Sequence, residues 1–90
     1  MATYKMRLMK RFNRDIEGNP LWVSLEEEFN FVPFHDLELT WGNLGDRVDV
    51  VSYDPKCDLF TITLRPDTIT YMASLEQRTK PYRLRGWKEL

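Results

Sequence analysis

The clearest pattern in the chain is a pair of strand-like runs around a turn. Along residues 59–65, Phe60, Ile62 and Leu64 alternate with Thr61, Thr63 and Arg65, the two-residue period of a strand with one buried face. In the preceding run, residues 47–53, Val48 and Val50 point one way, with Asp49 and Val51 opposite. The adjacent pair Val50-Val51 breaks that alternation, which calls for a bulge or for a strand covered on both faces. Between the runs lies Asp54-Pro55-Lys56-Cys57-Asp58, with an acid at the first turn position and a proline at the second. A β-hairpin is the expected result.

Other segments share the period. Tyr4, Met6, Leu8 and Phe12 alternate with Lys5, Arg7 and Arg11, although Met9 falls on the basic side and Lys10 on the apolar side. This predicts a half-exposed strand with a basic outer face, followed by a loop over 13–19. Residues 20–29 fit two periods. Asn19 suits an N-cap and Pro20 a first helical residue, and Leu21, Trp22, Leu25 and Phe29 fall on one helical face. Leu21, Val23 and Leu25 also alternate, but the helix is preferred. Phe29 to Phe34 is aromatic and interrupted by Pro33, which limits it to an edge or a connection.

Leu37, Leu39 and Trp41 alternate with Glu38 and Thr40, and Gly42-Asn43-Leu44-Gly45-Asp46 reads as a turn. Segments 37–41, 47–53 and 59–65 then form an antiparallel meander. Ile69, Tyr71, Ala73 and Leu75 predict a strand, 76–81 a polar loop, and 82–88 a last strand with Tyr82 and Leu84 inward and Arg83 and Arg85 outward. The expected fold is mainly β, with α+β as the alternative: a small antiparallel barrel or roll of about six strands. It carries one short helix over 20–29.

Ninety residues predict a single domain with a small core. Three Trp, five Phe and four Tyr, each burying roughly 150–250 Å², supply much of that core or of an interface. The single Cys57 excludes an internal disulfide framework. No apolar run approaches the roughly 20 residues that span a bilayer, and no signal peptide is visible at Met1. A cytoplasmic protein without a membrane partner is expected, in the host's cytoplasm if it is viral.

Charge is unevenly placed. The net of −1 hides five bases and no acid in residues 1–14, a net of −9 over 15–58, and +3 over 59–90. If the end segments pair, a basic face opposes an acidic one.

Reactive chemistry finds little support. His35 is the only histidine, and nothing in the spacing sets it beside Cys57 or a serine with an orienting third group. Cys57 sits between Lys56, which lowers a thiol pKa, and Asp58, which raises it, so no activation is expected. One Cys and one His do not make a zinc set. Glu26, Glu27, Glu28, Asp36 and Glu38 are read as a solvated acidic face rather than a hard-cation site. Asp54-Pro55-Lys56 lacks the further carboxylates of a nuclease site, and Gly42 to Gly45 is too short for a phosphate loop. No catalytic residue, metal or cofactor is assigned.

The first functional reading is a non-enzymatic protein-interaction module, an inhibitor or adaptor. It docks through Trp22, Glu26, Glu27, Glu28, Phe31, Phe34, Asp36 and Glu38, with rings as anchors and carboxylates steering the encounter. The second is a nucleic-acid-binding β module using Lys5, Arg7, Arg11, Tyr82, Arg83, Arg85, Trp87 and Lys88, since cations interleaved with rings track phosphates and stack bases. The acidic overall balance weighs against it. A third is a small RNase in which the Arg and Tyr of the last strand, Arg83 or Arg85 with Tyr82, stand in for histidine. An exposed edge strand would also permit a homodimer.

Overall fold

The computed structural model describes residues 2–14, 20–42, 44–69 and 74–90. In chain order these form β1 (Tyr4–Arg14), β2 (Leu21–Phe29), β3 (Glu38–Trp41), β4 (Leu44–Asp54), β5 (Leu59–Leu64), β6 (Asp67–Ile69), α1 (Leu75–Leu84) and β7 (Lys88–Glu89). The strands make one curled half-barrel sheet in the order β3-β4-β5-β1-β2-β7, with β6 beside β1. The protein is mainly β with one short helix. Its ladder is mixed and not purely antiparallel, because β1 runs parallel to both β5 and β6.

The meander forms as the alternation requires: β3 pairs β4 and β4 pairs β5, both antiparallel. The irregularity expected near Val50-Val51 is a bulge. Val48 lies opposite Leu64 and Val50 opposite Thr63, leaving Asp49 as the extra residue. The bulge corrects the facing read from the sequence. Val48 and Val51 both turn toward the core, while Val50 is exposed.

Residues 21–29 are strand, not helix. Their alternation is used in full, because β1 supplies nine consecutive partners from Tyr4 opposite Phe29 to Phe12 opposite Leu21. Helical propensity over such a span is a weak preference that a matching strand overrides. The helix lies elsewhere, over residues expected to be loop and last strand. Ser74-Leu75-Glu76-Gln77 has the spacing of a capping box, although Ser74 makes no side-chain cap bond. Pro81 inside the helix masked it. The end is a Schellman turn: Trp87 N–H bonds Tyr82 O, Gly86 N–H bonds Arg83 O, and Gly86 takes a φ of 92°. Tyr82 is therefore buried from a helix, and Leu84 is exposed rather than inward. The last strand shrinks to Lys88–Glu89, paired with β2.

Smaller boundaries move as well. β1 continues through Asn13 to Arg14, and Gly45 and Asp46 belong to β4 instead of a turn. The rest of the loop expected over 13–19, and the centre of the strand expected over 69–75, lie outside the described residues.

The core joins Met6, Leu8 and Phe12 of β1 to Val23, Val48, Ile62, Leu64, Ile69, Tyr82 and Trp87. A ring chain links its elements, with centroid separations of 5.4 Å for Phe12–Tyr82, 5.2 Å for Tyr82–Trp87 and 5.7 Å for Trp87–Trp41. Within this apolar set sits Lys10, 2% exposed. Its Nζ donates to Asp46 Oδ1 at 2.6 Å, to the Arg65 carbonyl at 2.6 Å and to Asp67 Oδ1 at 3.2 Å. An ammonium has three protons to give, and all three are given. The other Asp46 oxygen accepts the Tyr82 hydroxyl at 2.8 Å, and Asp67 Oδ2 accepts Arg78 Nη2 at 3.2 Å. The two bonds from the helix tie α1 to the sheet through carboxylates that Lys10 neutralises.

Burial first, then the Asp46 charge and hydrogen bond, pushes the Tyr82 hydroxyl pKa well above its ordinary value. Between the ordinary phenol pKa of about 10 and the raised one, the unfolded chain binds fewer protons than the folded one. The Tyr82 contribution to stability is thus full below about pH 10 and declines above it, by at most about 1.4 kcal/mol per pH unit. Tyr82→Phe is expected to cost about 1–2 kcal/mol at neutral pH and to flatten this alkaline decline. Urea unfolding of both proteins between neutral pH and pH 11 measures each effect.

Candidate functional site

The acidic and aromatic residues named above divide by position. Residues 30–37 carry the chain from the end of β2 to β3 and are tied to β4 on the way. Asp36 N–H bonds Val48 O, Val48 N–H bonds Leu37 O, and His35 Nδ1 lies 2.7 Å from Asp49 O. This strap and β3 border an open apolar hollow of about 270 Å³ lined by Phe31, Val32, Phe34, Leu37, Glu38 and Leu39. Phe31 is tilted against Phe29 at 5.3 Å, which anchors the hollow to the end of β2. Val32 and Phe34 stand on it 53% and 59% exposed. Phe31, Phe34 and Glu38 are thus brought together. Val32, Leu37 and Leu39 join them unforeseen; the signal available was Val32 beside Pro33 in a connection that cannot be a central strand.

Other members of the set stand apart. Trp22 lies on the outward face at the opposite end of β2, with the Arg11 guanidinium 5.5 Å from its ring. Glu26 is bound by Arg7 at 2.6 Å, Glu38 by Arg47 at 3.3 Å, and Asp36 by Arg65. Glu28 receives a 3.4 Å bond from Thr3. Glu27, exposed on the same side of the strand as Leu25 and Phe29, has no ion-pair partner among the described residues. Glu26, Glu27 and Glu28 also border a second hollow of about 270 Å³ with Lys5, Met6 and Leu59.

The basic residues answer the acidic ones across the β1–β2 ladder. Lys5 lies opposite Glu28, Arg7 opposite Glu26 and Arg11 opposite Trp22. Charge segregated along the chain is mixed on the surface, because the basic strand is the neighbour of the acidic one. Tyr82 and Trp87 are buried, 4% and 3% exposed, so neither offers a ring face to a base. Arg83 reaches Glu89 at 3.4 Å, while Arg85 donates to the carbonyls of Pro81 and Trp41. Lys5 and Lys88 remain exposed without an ion pair among the described residues.

Since a carbonyl only accepts, the contact with Asp49 fixes the His35 proton on Nδ1. A cleft of about 350 Å³ between α1 and the start of β4 is lined by Leu44, Gly45, Asp67, Gln77, Arg78, Pro81 and Tyr82. Of its polar groups, Asp67, Arg78 and Tyr82 belong to the Lys10 network, whose ammonium protons are all engaged. Among the described residues no three His, Cys, Asp or Glu side chains are placed to hold a metal ion, and no helix is long and apolar enough to cross a membrane. No protein-family model matches the chain, and no curated protein and no solved structure does so either.

Cys57 is exposed at the hairpin tip. Asp54, rather than the expected Asp58, acts on it: a hydrogen bond and then the charge of Asp54 raise the thiol pKa, and Arg7, rather than Lys56, slightly opposes them. Asp58 instead accepts the Tyr53 hydroxyl at 2.7 Å. A raised pKa leaves little thiolate at neutral pH. Asp54→Asn is therefore expected to speed alkylation of Cys57 by iodoacetamide several-fold at pH 7.5, which a timed mass-spectrometric assay reads directly.

Proposed function

We propose that the chain is a non-enzymatic protein-interaction module, an inhibitor or adaptor, whose docking surface is the hollow between residues 31–34 and β3. The observation that carries this reading is the pair Val32 and Phe34, large apolar side chains more than half exposed at the rim of an apolar depression. At about 270 Å³ the hollow falls below the roughly 300–1,000 Å³ usual for small-molecule pockets, and it suits a side chain of a protein partner. The rings give anchoring area, and the carboxylates of Glu27 and Glu28 beyond Phe29 favour a basic partner. The nucleic-acid alternative retains Lys5 and Lys88, with Tyr82 and Trp87 withdrawn into the core. The RNase alternative rests on Arg83 and Arg85, which are engaged by Glu89 and by main-chain carbonyls, and on Tyr82, which is buried on Asp46.

Phe34→Asp tests the reading, because an exposed ring contributes little to folding. Its stability is expected within about 0.5 kcal/mol of the wild type. In affinity capture from the native host with nuclease present, the wild type is expected to retain a protein partner that Phe34→Asp does not. Capture that disappears with nuclease and is indifferent to Phe34→Asp would support the nucleic-acid alternative instead.

A further inference from the structure

The curl of the sheet brings its two ends toward each other, and residues 87–90 lie between them. Trp87 touches Trp41 of β3 on one side. The residues after it pair with β2 on the other: Ser24 opposite Lys88, Val23 opposite Glu89, and Leu90 N–H bonded to Trp22 O at 3.0 Å. Extending β7 in the same antiparallel register would carry it past Leu25, Glu26, Glu27 and Glu28. It stops because Gly86, at φ 92°, turns the chain into α1. Residues 25–29 therefore keep a sheet edge with no strand partner among the described residues. Since the main chain of Trp22 faces that edge, the strand period points the N–H and C=O groups of Glu26 and Glu28 the same way.

We infer that an extended segment of a partner protein adds to this edge, antiparallel to β2 and in line with β7, and that the segment carries Lys or Arg. The inference rests on the docking reading above and names its partner. Unpaired main-chain groups of an edge strand are a template for a further strand. Charge decides which strand. A second copy adding its own β2 would set residues 26–28 of one chain against those of the other, and like charges directly opposite are destabilising. A segment alternating cationic and apolar side chains places its cations beside Glu26 and Glu28 on the outward face. Its apolar residues then lie toward Leu25 and Phe29, continuous with the hollow at Phe31.

The test titrates the isotope-labelled protein with a short synthetic peptide alternating Lys and Val. Two comparison peptides are used: one alternating Glu and Val, and a Lys-Val peptide N-methylated at alternate amides, which keeps charge but loses main-chain donors. The expected result is slowed hydrogen exchange at the Glu26 and Glu28 amides, with both comparison peptides binding at least about tenfold more weakly. Equal binding of the N-methylated peptide overturns strand addition, as does the absence of any response at residues 25–29. A response confined to 31–39 overturns it while leaving the docking reading intact, and that reading falls separately if Phe34→Asp still captures the host partner. Dimerisation of the protein alone with those two amides protected overturns the choice of occupant.

Discussion

Lys10 is a cation placed on the apolar side of a central strand, and the rest of the structure answers it. An ammonium buried without partners is prohibitively costly, so every one of its protons needs an acceptor brought from elsewhere in the chain. Asp46 comes from the start of β4, Asp67 from β6, and the third acceptor is the Arg65 carbonyl between β5 and β6. These demands are specific in direction. They require β6 to lie along β1 near Phe12, and they require Asp46 to be in a strand facing inward rather than in a turn. A buried pair of this kind adds little net stability over a well-packed apolar replacement. Its effect is to penalise arrangements in which the acids are not delivered.

The same carboxylates hold the helix. Tyr82 on Asp46 and Arg78 on Asp67 bond α1 to the sheet, beside the ring chain from Phe12 through Tyr82 to Trp87 and Trp41. With α1 so placed, the Schellman turn at Gly86 sends the chain back beside β2 for two residues of strand. That links β2 to β3 through Trp87 and leaves residues 25–29 of β2 without a second strand partner among the described residues. The polar network and the proposed docking surface lie in different parts of the molecule, and the first positions the elements that leave the second open.

Much of this was legible along the chain where side chains alternate without interruption. The hairpin, the meander and the basic first strand follow from period-two runs whose neighbours are close in sequence, and even the misplaced Lys10 is visible as an exception. The bulge was visible as a fault in the pattern but not in its resolution, because only the opposite strand shows that Asp49 is the extra residue. Residues 21–29 satisfied two periods at once. What decided between them was the matching strand seventeen residues earlier in β1, from Tyr4 opposite Phe29 to Phe12 opposite Leu21. The helix was missed because Pro81 counts against an interior helical position, while the spacing of Ser74 and Gln77 and the stop at Gly86 argued for it. On the surface, Phe31, Phe34 and Glu38, grouped in the sequence reading, line one hollow. The sequence did not show that Trp22 lies at the far end of the strand, or that Tyr82 and Trp87 are spent in the core.

The central claim, that Lys10 and Asp46 are coupled inside the core, is tested most directly by a double-mutant cycle. Lys10→Met, Asp46→Leu and the pair are made in a Tyr82→Phe background, so that no hydroxyl is left without its acceptor, and unfolding free energies are measured in urea. Lys10→Met leaves the buried Asp46 charge unmatched, and Asp46→Leu leaves Lys10 only the longer contact to Asp67 and the Arg65 carbonyl; each single change is expected to cost about 3–5 kcal/mol, with the double change costing far less than their sum. Additive losses, or single losses below about 1 kcal/mol, would contradict the account.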